Sequence, residues 1–132
     1  MNHNLEAGLV GEASAVVTET ETALAVGSGD VPVLATPALV ALLEQAAVNA
    51  IAGRLDPNLT TVGVQIDVRH LAATPIGMTV RARATLTTVE GRSLTFHLVA
   101  HDEVEQVAAG AHQRVIVDRA RFLLKANAKR TA

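Results

Sequence analysis

The sequence predicts an α+β fold in which one long, buried helix is wrapped by a curved antiparallel sheet of about five strands. Residues 36–52 are rich in Ala, Leu and Val, and Glu44 is their only charged residue, so they predict a helix with little surface for water. Residues 61–118 instead alternate apolar and polar side chains with a period of two, which is typical of strands with one buried face. Each element therefore needs the other to cover its apolar surface.

Stop signals bracket the predicted helix at both ends. Thr36 is a good N-cap, Pro37 suits the first helical position, and Gly53 fits a C-cap. Ahead of the helix, residues 11–27 alternate loosely, which predicts one or two short strands.

Four long strands are predicted after the helix. In the first, Val62, Val64 and His70 fall on the apolar face, whereas Gly63 and Asp67 fall on the opposite face. The four strands lie at residues 61–72, 78–87, 93–100 and about 106–118. A long buried helix followed by such a meander is the hot-dog architecture.

The length and composition fit one domain. A chain of 132 residues is predicted to form a single unit over residues 1–132, with residues 1–10 and 125–132 frayed. Hydrophobic residues make up 49% of the chain, yet Phe96 and Phe122 are its only aromatic residues, so the core must be built from Val, Leu, Ile and Ala. The size is near the low end for enclosing an active site alone, which favours a partner subunit.

Several functional classes are disfavoured by what the chain lacks. A net charge of −2, without a central basic cluster, Trp or Tyr, argues against nucleic acid. The absence of cysteine removes disulfides, thiolate nucleophiles and Cys-based zinc sites. His97 and His101 would lie about 13 Å apart along a strand, so no metal is predicted, and no cofactor either. Without a signal peptide or a long apolar run, the sequence predicts a soluble, cytoplasmic protein with no membrane partner.

Glu44 and His70 are the first candidates for chemistry. Burying a carboxylate without a partner is costly, so a lone Glu in an apolar helix indicates a donor nearby or a functional cavity. His70 on an apolar strand face is suited to transfer protons in both directions near neutrality, and helix and strand are predicted to present both groups to one place. The alternatives are a Glu44 side chain that reaches solvent and a core histidine bonded to a carbonyl.

Thr36 and Gly63 are ambiguous from residue type alone. Thr36 serves either as an N-cap only, or as a cap that also acts in catalysis. Gly63 either lets a ligand approach the strand backbone or marks a strand irregularity. The free N–H groups at the start of the helix offer a further place for a developing oxyanion.

Three motifs in register resemble the hot-dog thioesterases of the fluoroacetyl-CoA thioesterase type. They are the helix start from Thr36 to Glu44, the strand from Gly63 to His70 with its following turn at Gly77, and residues 110–114, which read Gly-Ala-His-Gln-Arg. The likeness extends over about residues 11–122. It implies an acyl-CoA thioesterase that forms a homodimer, or a dimer of dimers, with sheets joined edge to edge and two active sites at the interface.

The resemblance also implies roles for individual residues. Thr36, Glu44 and His70 correspond to the catalytic set, Gly63 to a strand glycine that offers its N–H to the substrate, and Arg114 to a substrate-binding arginine. From residue type, Arg81, Arg83 and Arg114 are candidates for contacts with the coenzyme A phosphates, with ordinary solvated sheet arginines as the alternative for Arg81 and Arg83. Whether Glu44 attacks the thioester to give an anhydride or activates water as a general base stays open.

One departure from the family bears on the substrate. Its members resemble each other in having aromatic residues just ahead of the Thr, whereas residues 27–35 contain none, which favours a general acyl-CoA over fluoroacetyl-CoA. Two other functions remain as alternatives: a non-catalytic acyl-CoA-binding dimer and, on weaker grounds, a hydroxyacyl thioester dehydratase. The latter would want an Asp beside the His, but Asp67 alternates away from His70.

Overall fold

The computed structural model describes residues 4–131, in which a five-stranded antiparallel sheet packs against one long helix. The strands are β1 (Val10–Val16), β2 (Leu59–His70), β3 (Thr79–Glu90), β4 (Ser93–His101) and β5 (Gln106–Asp118). The helices are α1 (Ala23–Val26), α2 (Thr36–Ala50) and α3 (Arg119–Asn127), with 3-10 turns at Glu19–Glu21 and Ala128–Thr131. The strand order β1-β3-β4-β5-β2 confirms the predicted hot-dog fold class.

The core forms between α2 and the inner face of the sheet. Alternate residues of β3 and β4 point inward, as the period of two predicts, and meet one side of α2. The buried set is Leu39, Leu43, Ala46 and Ala47 on α2, Val80, Ala82, Ala84 and Leu86 on β3, and Leu94, Phe96, Leu98 and Ala100 on β4. Small alanines between the larger side chains let the helix lie close to the sheet.

Strand β1 makes the closest approach to α2. A Cβ atom on Gly11 would collide with the backbone of Ala46 and Ala50, so only glycine fits at this crossing. Beside it, Asn49 Nδ2 donates to the carbonyl oxygen of Glu12 at 2.8 Å. These contacts fix the position of α2 against one edge of the sheet.

Strand β2 contains a bulge that changes which residues face inward. Its register with β5 shifts between Gly63 and Gln65, so that Val64 is the extra residue. Downstream of Val64, His70 faces the helix side as predicted. Upstream, the predicted faces of Val62 and Gly63 are exchanged: Gly63 pairs with the buried Arg114 and faces inward, and Val64 is exposed. A bulge shifts the alternation by one residue, which the sequence pattern did not reveal.

The structure corrects the predicted limits of the helical segments. Residues 11–27 contain one strand, and Ala23 and its neighbours form α1 instead of a second strand. Thr36 is the first residue of α2 and not its N-cap, which is Ala35, without a side-chain capping bond. The helix ends at Ala50 with Ile51 as C-cap, and Gly53 lies in the following turn with a φ of 75°.

Both predicted frayed ends are more ordered than expected, although residues 1–3 and 132 lie outside the described part of the chain. Asn4 exchanges hydrogen bonds with Arg54, and Leu5 and Leu9 pack against the core. Residues 125–131 continue α3 and end in a 3-10 turn. Within residues 4–131, no helix combines the length and the apolar character needed to cross a bilayer.

We expect Gly11→Ala to destabilise the fold severely. The added methyl would meet backbone atoms of α2, which cannot move aside as a flexible side chain could. Overpacking of this kind costs about 3 kcal/mol at the upper end of its usual range, which should lower the melting temperature by about 10 °C. Thermal unfolding by circular dichroism measures the loss, with Ser14→Ala on the exposed side of β1 as the control. A Gly11→Ala protein as stable as the control would contradict the close crossing.

Candidate active site

The end of β2 and the start of α2 bring Thr36 and His70 together. Thr36 Oγ1 and His70 Nδ1 are hydrogen-bonded at 2.7 Å. The hydroxyl is available because Thr36 is not the capping residue of the helix. Burial lowers the pKa of His70, and the backbone at Ala72 offsets this only in part. The imidazole is therefore neutral near pH 7 and is able to accept a proton.

The second ring nitrogen of His70 has an unusual position. His70 Nε2 is buried and lacks a hydrogen-bond partner among the groups of residues 4–131. Buried polar atoms without partners are rare in proteins and call for an explanation. This atom is therefore a candidate for contact with a group from outside the single chain.

Glu44 lies in a second cluster, beside Arg114, His112 and Gly63. Its Oε2 is 3.5 Å from the Nη1 of Arg114 and 3.9 Å from the Nε2 of His112. The Glu44 side chain is 41% exposed, whereas those of Arg114 and His112 are almost fully buried. The sequence predicted a buried carboxylate, and the structure instead places its oxygens at the boundary between a buried cation and solvent.

Arg114 is held by groups of the protein itself. Its Nε donates to Thr61 Oγ1 at 2.9 Å, and its Nη2 donates to the Thr61 carbonyl oxygen at 3.1 Å. Its Nη1 donates to Glu44 Oε2 and to His112 Nε2. Burial lowers the pKa of Arg114, and the adjacent Glu44 carboxylate counteracts this effect. A guanidinium with so many internal acceptors has little capacity left for a ligand.

The arginine also determines the protonation of His112. Since a guanidinium only donates, His112 Nε2 must accept the 3.2 Å bond from Arg114 Nη1. The ring proton then lies on Nδ1, which donates to the Gln65 carbonyl at 2.8 Å. Burial is the main cause that lowers the pKa of His112, and the positive charge of Arg114 adds to it. His112 is therefore a neutral acceptor near pH 7.

Gly63 lets the carboxylate of Glu44 reach the strand backbone. A Cβ atom at Gly63 would lie 2.9 Å from Glu44 Oε2 and 3.2 Å from His112 Cε1. The bulge at Val64 is what turns this glycine towards the helix. The strand irregularity, one of the two alternatives left by the sequence, is present here. The approach of a ligand to Gly63 stays a prediction.

The predicted site residues thus form two groups in one chain and not a single triad. Thr36 pairs with His70, whereas the ionic contacts of Glu44 within the described residues are with Arg114 and His112. Thr36 and Glu44 are separated by about 12 Å of helix rise. His112 was missed as a site residue, although its position two residues before Arg114 on a strand places both on one face.

No set of three or more His, Cys, Asp or Glu side chains within residues 4–131 is arranged to hold a metal ion. The chemistry available at the two clusters is that of a carboxylate, two neutral imidazoles, a hydroxyl and a buried cation. Such groups supply a nucleophile or general base together with a proton carrier. On a hot-dog fold they define a site of the thioesterase superfamily, and solved structures of that superfamily are similar to this chain.

The chain is similar throughout to known thioesterases. The family model of the fluoroacetyl-CoA-specific thioesterases matches residues 17–120. The fluoroacetyl-CoA thioesterase of Streptantibioticus cattleyicolor is 41% identical over 100 residues, which is 76% of this chain and 72% of that protein. The chain therefore belongs to the fluoroacetyl-CoA-specific thioesterase family. This confirms the family, and with it the thioester hydrolase, predicted from the sequence.

Solved structures agree with this assignment. A crystal structure of the fluoroacetyl-CoA thioesterase FlK has a TM-score of 0.89 at 34% identity, covering 96% of this chain and 98% of that one. A variant of FlK in complex with acetyl-CoA has a TM-score of 0.90 at 33% identity, covering 95% and 98%. A thioesterase superfamily member from Thermus thermophilus has a TM-score of 0.86 at 27% identity, covering 96% of each chain.

We expect the protein to lose stability on mild acidification, and His112→Gln to reduce that loss. The folded-state pKa of His112 is lowered, so the unfolded chain binds more protons as pH falls through the ordinary histidine value of about 6.5. The free energy of unfolding should therefore fall below that pH until the folded-state pKa is passed. Urea unfolding between about pH 8 and 5 measures the slope.

His97→Gln, on the exposed outer face of β4, is the matched control for this measurement. It should retain the wild-type slope. An identical slope in His112→Gln and wild type would show that His112 is not held neutral in the folded protein.

Proposed function

We propose that the protein hydrolyses an acyl-CoA thioester to the free acid and coenzyme A. The observation that carries the proposal is the half-exposed carboxylate of Glu44, held between the backbone of Gly63 and the buried charge of Arg114. The names of its relatives support the thioester, and a complex of one of them holds acetyl-CoA. Neither metal nor organic cofactor is part of the proposal.

Glu44 acts as nucleophile or as general base. Its exposed fraction leaves the carboxylate accessible to a thioester carbonyl or to a water molecule, and either route begins from the ionised form. Arg114 keeps one carboxylate oxygen in place through Nη1. We therefore assign Arg114 to positioning Glu44, in place of the substrate contact that the resemblance implied.

His70 carries the proton and Thr36 assists it. A neutral imidazole hydrogen-bonded to a hydroxyl at 2.7 Å can take a proton and return it to the departing thiolate. Thr36 Oγ1 lies at the start of α2, where the first backbone N–H groups favour a developing oxyanion. The predicted contact between the Gly63 N–H and the substrate is part of the same proposal.

A homodimer would bring the two clusters together. β2 ends the strand order and leaves one edge free, with the apolar Val64 and Val48 exposed nearby. An antiparallel pairing of two such edges, centred on Asp67, would set Gly63 of one subunit opposite His70 of its partner once the extra residue Val64 is counted. Glu44 would then face a Thr36–His70 pair from the other chain, and each dimer would hold two sites. A dimer of dimers needs a further interface.

A cavity lies beside the first turns of α2 on the β1 side of the helix, across α2 from Glu44 and β2. It has a volume of about 180 Å³ and is lined mainly by apolar side chains, among them Leu34, Ala38, Leu42 and Val80. An apolar cavity of about 150 Å³ is enough to hold benzene. Because none of Thr36, Glu44 and His70 lines this cavity, the proposed acyl preference rests on positions 27–35, where the absence of aromatic residues favours a general acyl-CoA.

Two alternatives are weaker. A dehydratase would need an acid beside His70, and the exposed Asp67 pairs with the exposed Ala111 on the outer face of the sheet. A non-catalytic acyl-CoA-binding dimer would keep the cavity without using Glu44. Because coenzyme A thioesters are intracellular metabolites, the cytoplasm is the proposed location.

We expect Glu44→Gln to lower kcat by about 10³-fold, as removal of a general base does, while the fold and the dimer persist. The assay is release of coenzyme A from short, medium and aromatic acyl-CoAs, which also reveals the acyl preference. Glu12→Gln, on the exposed side of β1, makes the same chemical change outside the site and should retain wild-type turnover. Wild-type protein that binds acyl-CoAs but turns over no member of the panel would favour the binding dimer.

We expect Gly63→Ala to lower kcat by up to about 10²-fold, as small displacements of a catalytic group do, and to leave stability nearly unchanged. The new methyl displaces the flexible carboxylate of Glu44 and meets no backbone atom closely. This is the reverse of Gly11→Ala, where stability is expected to be lost. Steady-state kinetics and thermal unfolding of both variants make the comparison. A Gly63→Ala enzyme with unchanged kcat would contradict the role of Glu44 geometry.

A further inference from the structure

A cationic groove lies at the corner where β2, β5 and α3 meet. Its volume is about 440 Å³, and Leu59 and Val117 contribute to its lining. Arg92, Arg121 and Lys125 supply three positive charges to its walls. The groove is outside both catalytic clusters, and no step of the proposed reaction uses it.

The three cations of the groove form no ion pair within residues 4–131, although the charge of Arg121 acts on the neighbouring Asp118 carboxylate. The ion pairs within residues 4–131 are those of Arg83 with Glu12 and of Glu44 with Arg114 and His112. Asp118 is the one acid in the lining, and its Oδ1 is engaged as the cap of α3 by accepting from the Arg121 N–H at 3.0 Å. The groove therefore keeps a surplus of positive charge.

The surrounding segment strengthens this positive field. Residues 118–131 carry five of the eleven Lys and Arg residues of a chain whose net charge is −2. Concentrating cations in one place on an acidic protein attracts anionic ligands. Phe122, one of the two aromatic residues of the chain, lines the same groove and is partly exposed.

The groove and the Glu44 cluster both adjoin β2, one near Leu59 and the other at Gly63. Leu59 and Gly63 are four residues apart on the same face of β2, a separation of about 13 Å. The pantetheine arm of coenzyme A, from sulfur to the first phosphate, has about as many bonds as four extended residues, or roughly 14 Å. A thioester at Glu44 whose pantetheine arm ran along β2 towards Leu59 would therefore bring the phosphates of coenzyme A to the groove.

We propose that this groove binds the phosphate groups of the coenzyme A moiety, with Arg121, Lys125 and Arg92 as their partners. The inference rests on the proposed acyl-CoA substrate and identifies the part of it that the protein recognises. The exposed face of Phe122 offers a stacking surface for adenine, since every base has a π-face that stacks on an aromatic ring.

This site replaces the phosphate contacts expected from the sequence. Arg114 is buried and engaged with Thr61 and Glu44, and Arg83 is paired with Glu12. Arg81 lies in a separate groove that also contains Glu12. Arg83 and Arg114 thus form ion pairs and Arg81 has an acid close by. The three cations at the β2, β5 and α3 corner share one acid, Asp118, and form no ion pair within residues 4–131.

The test compares substrates with and without phosphates in Arg121→Gln and Lys125→Gln. Loss of a charged hydrogen bond should raise KM for acyl-CoA about tenfold in each variant and leave kcat unchanged. KM for the corresponding acyl-pantetheine, which has no phosphate, should stay at the wild-type value. The variants should also show a weaker dependence of KM on salt, because fewer charges attract the ligand.

The matched control is Arg69→Gln, which removes one exposed cation from the outer face of β2 and makes the same charge change. This variant should keep the wild-type KM for acyl-CoA. Equal changes in the control and the groove variants, or equal changes in KM for acyl-CoA and acyl-pantetheine, would overturn the proposal.

A binding measurement keeps this test independent of turnover. Titration calorimetry with coenzyme A, 4′-phosphopantetheine and pantetheine separates the nucleotide phosphates from the single phosphate that a carrier protein would present. Coenzyme A that binds the groove variants about tenfold more weakly than wild type supports the site even if no thioester is hydrolysed. Coenzyme A that binds wild type and variants equally refutes it, whereas failure of the proposed function appears as absent turnover by wild type.

Discussion

One extra residue in β2 sets the geometry on which the candidate site depends. Because Val64 is inserted between Gly63 and Gln65, the inward face of the strand changes from odd to even positions at this point. Thr61 and Gly63 therefore lie opposite Ile116 and Arg114, with His70 still inward further along. In a regular strand, Thr61 could not accept from Arg114, and a side chain would point from position 62 or 64 at Glu44.

The buried charge of Arg114 determines how the side chains of the Glu44 cluster are hydrogen-bonded. Taking a guanidinium out of water is costly unless its donors are matched, and Thr61, Glu44 and His112 supply the acceptors. The match requires His112 to be neutral and Glu44 to present a carboxylate oxygen at the solvent boundary. His112 and His70 are thus both kept neutral by burial, yet the first is engaged on both ring nitrogens and the second has one nitrogen unpartnered in the described chain.

The alternation of apolar and polar residues predicted the core and the last strand, whereas the sequence did not reveal features that depend on how strands and helix are aligned. Alternation in β3 and β4 located the core, and the limits of the last strand agree with β5 as found. Val64 gave no sign of a bulge, because an apolar residue fits either face of the pattern. Thr36 was assigned one position early by its residue type, although its hydroxyl bonds to a residue distant in sequence, His70. Contacts of that kind appear only when strand and helix are placed together.

The separation of the two clusters is the strongest structural argument for the proposed dimer. One rigid helix carries Thr36 and Glu44 about 12 Å apart, and one strand carries their partners, His70 and Gly63, about 23 Å apart. No side-chain rotation closes such a gap. A two-fold axis across the free edge of β2 closes it without any change in the chain, because it reverses the strand and exchanges the two ends. In the proposed dimer, the half-exposed Glu44, the unpartnered His70 Nε2 and the open strand edge would all lie at the interface that completes the site.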